Sequence, residues 1–471
     1  MRYEVGGVEA DKLHEECGVF GIYAPGRDVA QLTYYALYAL QHRGQESAGI
    51  AVSDGKSIKC EKGVGLVAEV FQDTDKFKQL QGNMAVGHVR YATDTSELLI
   101  NAQPLLVRYR NGHLAIAHNG NLINSRQLRS QLESKGSIFQ ATTDSEIIAH
   151  LIARSGETEI VQAIKKSLPY LRGAYTYIIM TPEKLVGIRD PYGIRPLSLG
   201  KMANGYVLSS ETCAFDTVGA EFVRDIEPGE LIIIDENGLH SERFAPTMRQ
   251  ALCAFEYIYF ARPDSNLHGR NVHLVRKRLG RRLAQEHPVE ADVVTGVPDS
   301  SLSAASGVAE QLGLPYEMGF IKNRYIGRTF IQPTAEIRAL GVQLKLNAVR
   351  QIVEGKRVVI VDDSIIRGTT SVRIVKMLRH AGAKEVHVLI TSPPVTAPCY
   401  YGINTSSQSE LIAARMSVEE IRKTIDADYL GFLSEEGLLE CINLPKDGFC
   451  TACFSGRYPI APDNYALDKE R

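Results

Sequence analysis

The rhythm of apolar and polar positions changes near the midpoint of the chain. Over roughly the first 240 residues, short β-type runs alternate with turns: VGIRDPYGIRPLSLG (186–200), YVLSSETCAF (206–215) and ELIIIDENG (230–238). Helical patterns interrupt them near residues 30–41 and 144–155. This alternation predicts an α+β layered domain with antiparallel sheets. After about Glu242 the pattern lengthens. Apolar runs at 291–298 (ADVVTGVP), 357–363 (RVVIVDD) and 385–394 (EVHVLITSPP) are separated by helical patterns near 300–312 and 370–381. Continuous apolar strands between helices predict a parallel sheet covered on both faces. The boundary is placed near residue 245, with ERFAPTMRQ (242–250) as linker. The stretch from about 440 reads as irregular and holds three cysteines.

Composition narrows the class. A chain of 471 residues is long enough for two domains. Hydrophobic residues at 44% can fill sizeable cores, and a formal net charge of −2 argues against a protein that coats nucleic acid. No window approaches the roughly 18 apolar residues of a membrane helix. The N-terminal stretch MRYEVGGVEADKLHEE has five acids, two bases and no apolar core, unlike a secretory signal. The expectation is a cytoplasmic protein whose eight cysteines are reduced or metal-bound.

The densest chemical signal is VVIVDDSIIRGTT (358–370). A buried strand ends in Asp362 and Asp363, and a loop with Ser364, Arg367, Gly368, Thr369 and Thr370 then opens a helix. Backbone N–H groups of such a loop suit a phosphate, and the two acids suit ribose hydroxyls or Mg²⁺. This combination resembles the signature of type I phosphoribosyltransferases over roughly residues 250–455. The resemblance implies phosphoribosyl diphosphate (PRPP) as ligand, with its 5-phosphate on residues 364–370. It also implies Ser300, in TGVPDSS (295–301), as a Mg²⁺ ligand beside Asp362 and Asp363. Taken alone, that segment reads equally as a helix N-cap. The stretch IKNRYIGRTFIQP (321–333), with Lys322, Arg324 and Arg328, looks like the loop that closes over PRPP in this family; a solvated basic loop is the plain alternative. The run RKRLGRR (276–282) reads as an exposed helix face.

A second signal starts at Cys17 in CGVFGIY. With LQHRGQESAGI (40–50), GHVRYAT (87–93), AHNGNL (117–122) and TTDSE (142–146) it resembles the glutaminase domain of N-terminal-nucleophile (Ntn) amidotransferases, over about residues 17–240. Hydrolysing a carboxamide needs a nucleophile, a proton shuttle and an oxyanion site. The resemblance assigns these to the Cys17 thiol, its own α-amine, and Asn119 with Gly120, while Arg90 and Asp144 grip glutamine. Each residue singly has a structural reading, Asn119-Gly120 as a hairpin turn for instance. The family nucleophile is the first residue of the mature chain, so cleavage between Glu16 and Cys17 is expected, with residues 1–16 as a propeptide.

Cys450 and Cys453 form C-x-x-C, which alone is ambiguous among zinc, an iron–sulfur cluster and a redox pair. One branch of the glutaminase–phosphoribosyltransferase family carries a propeptide and a [4Fe–4S] cluster. Its pattern implies Cys253, Cys399, Cys450 and Cys453 as ligands. Cys60, Cys213 and Cys441 read as small buried hydrophobes, although spacing does not exclude Cys441. Together the resemblances imply an Ntn glutaminase domain (αββα layers, 17–245) followed by a phosphoribosyltransferase domain (246–471). They imply transfer of ammonia from glutamine to C1 of PRPP at the first committed step of purine synthesis, in a homotetramer inhibited by purine nucleotides. Other Ntn amidotransferases lack a 358–370 motif, and a non-enzymatic PRPP sensor should lack Cys17, Arg90 or the paired acids.

Overall fold

The computed structural model describes residues 17–91, 98–246, 248–323, 346–403 and 407–462. The first part is a stack of two antiparallel sheets. In chain order their strands are β1 (Gly18–Tyr23), β2 (Ser47–Ser53), β3 (Ile58–Val64), β4 (Met84–Arg90), β5 (Leu105–Tyr109), β6 (Gly112–Leu122) and β7 (Gly173–Met180). There follow β8 (Leu185–Arg189), β9 (Ser198–Met202), β10 (Gly205–Ser209), β11 (Glu221–Asp225), β12 (Glu230–Asp235) and β13 (Gly238–Arg243). One sheet runs β11-β9-β10-β1-β4-β2-β3 and the other β13-β12-β8-β7-β6-β5.

Residues that alternate along each strand explain the layering. Val19, Ala51 and Val86 of the first sheet meet Ala117, Ile178 and Ile232 of the second in one buried core. The opposite face of the first sheet packs against helices Val29–Ala39 and Cys213–Val218. That of the second packs against Ile147–Arg154 and Ile160–Ser167. The order is helix, sheet, sheet, helix, the expected αββα arrangement. One boundary differs: the run 206–215 leaves its strand at Ser209 and is helical from Cys213. Helices Ser125–Glu133 and Ile160–Ser167 escaped the pattern reading, because each is under ten residues and polar outside one face.

The second part holds a four-stranded parallel sheet in the order Val293–Gly296, Arg357–Asp362, Glu385–Ile390, Tyr429–Phe432. Val359 and Val361 face one core and Val358 and Ile360 the other, so the central strand is apolar on both faces. Helices Val272–Glu286 and Leu302–Leu312 cover one side and Thr369–His380 the other. The run 276–282 is not simply an exposed face. Arg276 is buried, and its guanidinium donates to the carbonyls of Tyr257 and Ala261. The C-terminal stretch is more ordered than expected: Phe449–Cys450 pairs in parallel with Leu252–Cys253.

Candidate active sites

Cys17 sits at the head of β1 with φ +32, a backbone conformation unusual for a non-glycine residue. Its successor Gly18 pairs with Val89, so Cys17 emerges at the end of β4 that carries Arg90. Arg90 donates from Nη1 to the Asn101 carbonyl at 2.8 Å. Asn101 also receives the N–H groups of Thr142 and Thr143, which anchors the segment preceding Asp144. Asp144 Oδ2 accepts from the Leu122 N–H at 2.8 Å. Thus the strand end with Arg90, the end of β6 and the turn with Asp144 are hydrogen-bonded into one unit.

Asn119 lies on β6, facing the first sheet. It is fully buried, yet neither its side-chain oxygen nor its nitrogen has a hydrogen-bond partner. A buried amide without partners is costly unless something else engages it. Gly120 follows with φ +133, and a Cβ there would come 2.2 Å from the Ala174 carbonyl oxygen, so only glycine fits.

In the second domain, Asp362 and Asp363 end their strand in a buried pocket beside the strand Val293–Gly296. Ser300 Oγ donates to Asp363 Oδ1 at 2.6 Å and Ser301 Oγ to Asp362 Oδ1 at 3.1 Å. Ser364 Oγ donates to Asp363 Oδ2. Gly368, at φ +85, is the N-cap of the helix Thr369–His380 and has no side chain with which to cap it, a helix start of the kind that can present backbone N–H groups to an anion. Thr370 is buried in that turn and Thr369 exposed. Arg367 at the rim pairs with Glu410 at 2.6 Å. Lys322 reaches Asp299 at 3.3 Å. Arg324 and Arg328 lie outside the described residues. Arg276, overlooked as a surface residue, adds a buried positive charge that the Asp363 charge helps to stabilise.

The oxygens of Ser300, Asp362 and Asp363 are hard donors of the kind Mg²⁺ takes, with substrate phosphates completing its octahedron. The four predicted thiols also converge. Cys253 and Cys450 are register partners. The Cys453 carbonyl accepts from Thr396 and Ala397, just before Cys399. Burial, with the Cys399 charge adding to it, pushes the Cys450 thiol up to about 12; Cys453 is pushed up by burial and then by all three other thiols. Yet among the described residues no three His, Cys, Asp or Glu side chains close on a single ion. Four thiolates on one Zn²⁺ would sit about 3.8 Å apart, from Zn–S bonds of about 2.3 Å; a cube of iron and sulfur needs a wider cage. Cys441 stands apart against the Arg278 carbonyl. Cys213 is buried, whereas Cys60 and Cys441 are only half-buried.

The thiols adjoin the first domain. Asn121 Nδ2 donates to the Tyr400 carbonyl at 2.8 Å, and the buried Arg195 reaches the Tyr401 carbonyl at 3.2 Å. Sequence reasoning missed these links because no local spacing reports a contact made across some 200 residues.

These two halves define a glutamine amidotransferase domain joined to a phosphoribosyltransferase domain. Family models of those descriptions match residues 88–217 and 270–394. The amidophosphoribosyltransferase of Bacillus subtilis (strain 168) is 58% identical over 456 residues, covering 96% of this chain and 95% of that protein. That of Synechocystis sp. is 53% identical, covering 97% and 94%. A solved glutamine PRPP amidotransferase from B. subtilis, complexed with ADP and GMP, superposes with a TM-score of 0.90 at 56% identity, covering 97% of this chain and 100% of that one. The chain belongs to the amidophosphoribosyltransferase family. It transfers ammonia, released from glutamine, to C1 of PRPP, giving 5-phosphoribosylamine, glutamate and diphosphate at the first committed step of purine synthesis. No helix among the described residues is long and apolar enough to cross a membrane.

Proposed function

We propose the following division of labour for that reaction, in an enzyme whose domains span residues 17–245 and 246–471. Removal of residues 1–16 frees the Cys17 α-amine, whose ordinary pKa of about 7.7–8.0 suits a base near neutral pH. The amine takes the thiol proton, and Sγ attacks the glutamine carboxamide carbon. Asn119 Nδ2–H and the Gly120 N–H receive the developing oxyanion. Arg90 grips the α-carboxylate in bidentate fashion and Asp144 the α-ammonium group. The protonated amine gives its proton to the leaving nitrogen as the tetrahedral adduct collapses and expels ammonia, and water then hydrolyses the thioester to glutamate, regenerating the thiol. The observation that carries this reading is the fully buried, unpartnered amide of Asn119.

In the second domain Asp362 and Asp363 bind the ribose hydroxyls, and Ser364 with the 367–370 loop holds the 5-phosphate. Lys322 and Arg328 bind PRPP as part of the loop that closes over it. Mg²⁺ held by Ser300, Asp362 and Asp363 with substrate oxygens would neutralise charge on the leaving group. Cys253, Cys399, Cys450 and Cys453 hold a [4Fe–4S] cluster that staples three distant segments. The wider reading is a cytoplasmic homotetramer inhibited by purine nucleotides; the ADP and GMP bound to the B. subtilis relative support the last point.

The test is Cys17→Ala. The variant should lose glutamine-dependent synthesis while ammonium salts still sustain synthesis from PRPP. Loss of both activities, or retention of both, would overturn the assignment.

A further inference from the structure

His118 lies on β6 and pairs with Tyr177 of β7 on one side. On the other edge β5 accompanies β6 only as far as Leu105 opposite Ile116, so on that edge no strand continues beside His118. Two side chains stand there instead. Gln103 Oε1 accepts the His118 N–H at 2.8 Å, and His88 Nε2 lies 3.0 Å from the His118 carbonyl. The next two residues are Asn119 and Gly120. His88 precedes Arg90 by two positions on β4 and so shares its face.

One imidazole therefore ties the strand that carries Arg90 to the peptide just before Asn119. Its acceptor is a carbonyl, so Nε2 carries the hydrogen and the tautomer is set. Burial pushes the His88 pKa down to about 3, which keeps the ring neutral near pH 7. The tie continues: Gln103 Nε2 donates to Ser145 Oγ at 3.0 Å, and Ser145 lies 3.0 Å from His118 Nδ1. Ser145 adjoins Asp144. His88, Gln103, His118 and Ser145 are each at most 2% exposed, so water does not compete for these bonds.

We propose that His88 is a positioning residue for amide hydrolysis: with Gln103 it replaces the missing strand at the edge of β6 and fixes the spacing between the Arg90 guanidinium and the Asn119–Gly120 donors. The proposal rests on the reading of Asn119 and Gly120 as oxyanion donors. A glutamine held by its carboxylate must present its carboxamide oxygen to those donors, and a displacement of about 1 Å can cost about 100-fold in rate.

The test compares His88→Leu, His88→Gln and Asn119→Ala in the full enzyme, with glutamine and with ammonium chloride as nitrogen source. His88→Leu should lower glutamine-dependent kcat by about 10- to 100-fold, with a smaller change in the KM for glutamine and an unaltered ammonium-dependent rate. His88→Gln, whose amide N–H reaches the same carbonyl, should recover most of the loss. If His88→Leu does not fold, His88→Asn supplies the contrast, since its shorter amide falls short of that carbonyl. A wild-type glutaminase rate in His88→Leu beside a crippled Asn119→Ala would overturn this proposal alone. So would a His88→Gln protein with native near-ultraviolet circular dichroism that is as slow as His88→Leu. A wild-type glutaminase rate in Asn119→Ala would overturn the oxyanion reading beneath it.

Discussion

Arg43 and Glu256 form an ion pair in which both side chains are fully buried, and the pair crosses from the first domain to the second. Arg43 also holds Glu211, and Glu256 meets Arg195 at 3.5 Å on its other side. Burial would raise the Glu211 carboxyl, but the Arg43 and His42 charges overcome it and hold the group well below the usual carboxylate range. Breaking one side of such a network leaves buried charge uncompensated. Arg43→Met should therefore cost about 3–5 kcal/mol of stability, measured by urea denaturation. A loss under about 1 kcal/mol, the range of exposed pairs, would show that the pair is readily solvated.

Asp363 should separate the two half-reactions. Its carboxylate receives Ser300 and Ser364. Asp363→Asn keeps the shape and removes the charge. Synthesis from PRPP with ammonium chloride should fall about 100-fold or more, whereas basal glutamine hydrolysis without PRPP should change little. An unimpaired ammonium-dependent rate would remove Asp363 from the PRPP site.

The buried histidine gives a pH signature. The His88 pKa falls from its ordinary 6.5 to about 3 on folding, chiefly through burial, with the Arg90, His118 and Lys62 charges adding to it. The unfolded chain therefore binds the extra proton between those values, and stability is lost as pH falls from about 6.5 toward 3. The contribution approaches about 1.4 kcal/mol per pH unit within that window. Denaturation of wild type and His88→Gln at pH 7 and pH 5 should show a shallower pH dependence in the variant. Parallel curves would mean that His88 is not held neutral.

Metal content distinguishes the thiols. Protein purified without air should be brown, and its mass should correspond to a chain that begins at Cys17. Cys453→Ser should lose iron and visible absorbance, whereas Cys441→Ser should keep both, because Cys441 faces the Arg278 carbonyl and not the other thiols. Equal loss in both variants would break the proposed ligand set.

The amino-acid sequence by itself determined the class of each half. Period-two runs read as layered antiparallel sheets, and β-branched runs between helices read as a parallel sheet, because burial on one face or two writes itself into consecutive residues. The strand that ends at Asp362 and the Gly368 turn that opens the next helix were equally legible, since a strand end and the turn after it are local in sequence. Contacts between distant segments were not. Arg276 sits in a basic run that reads as surface, and only the packing of its helix against 257–261 turns it inward. His88, Gln103 and Ser145 carry no motif of their own. They meet because β5 stops short and leaves the edge of β6 open beside Asn119. The pairing of Cys253 with Cys450 likewise depends on how the two ends of the second domain come together, and that of Arg43 with Glu256 on how the two domains dock. Such choices belong to tertiary structure because burying a polar group demands a partner, and that partner can come from anywhere in the chain.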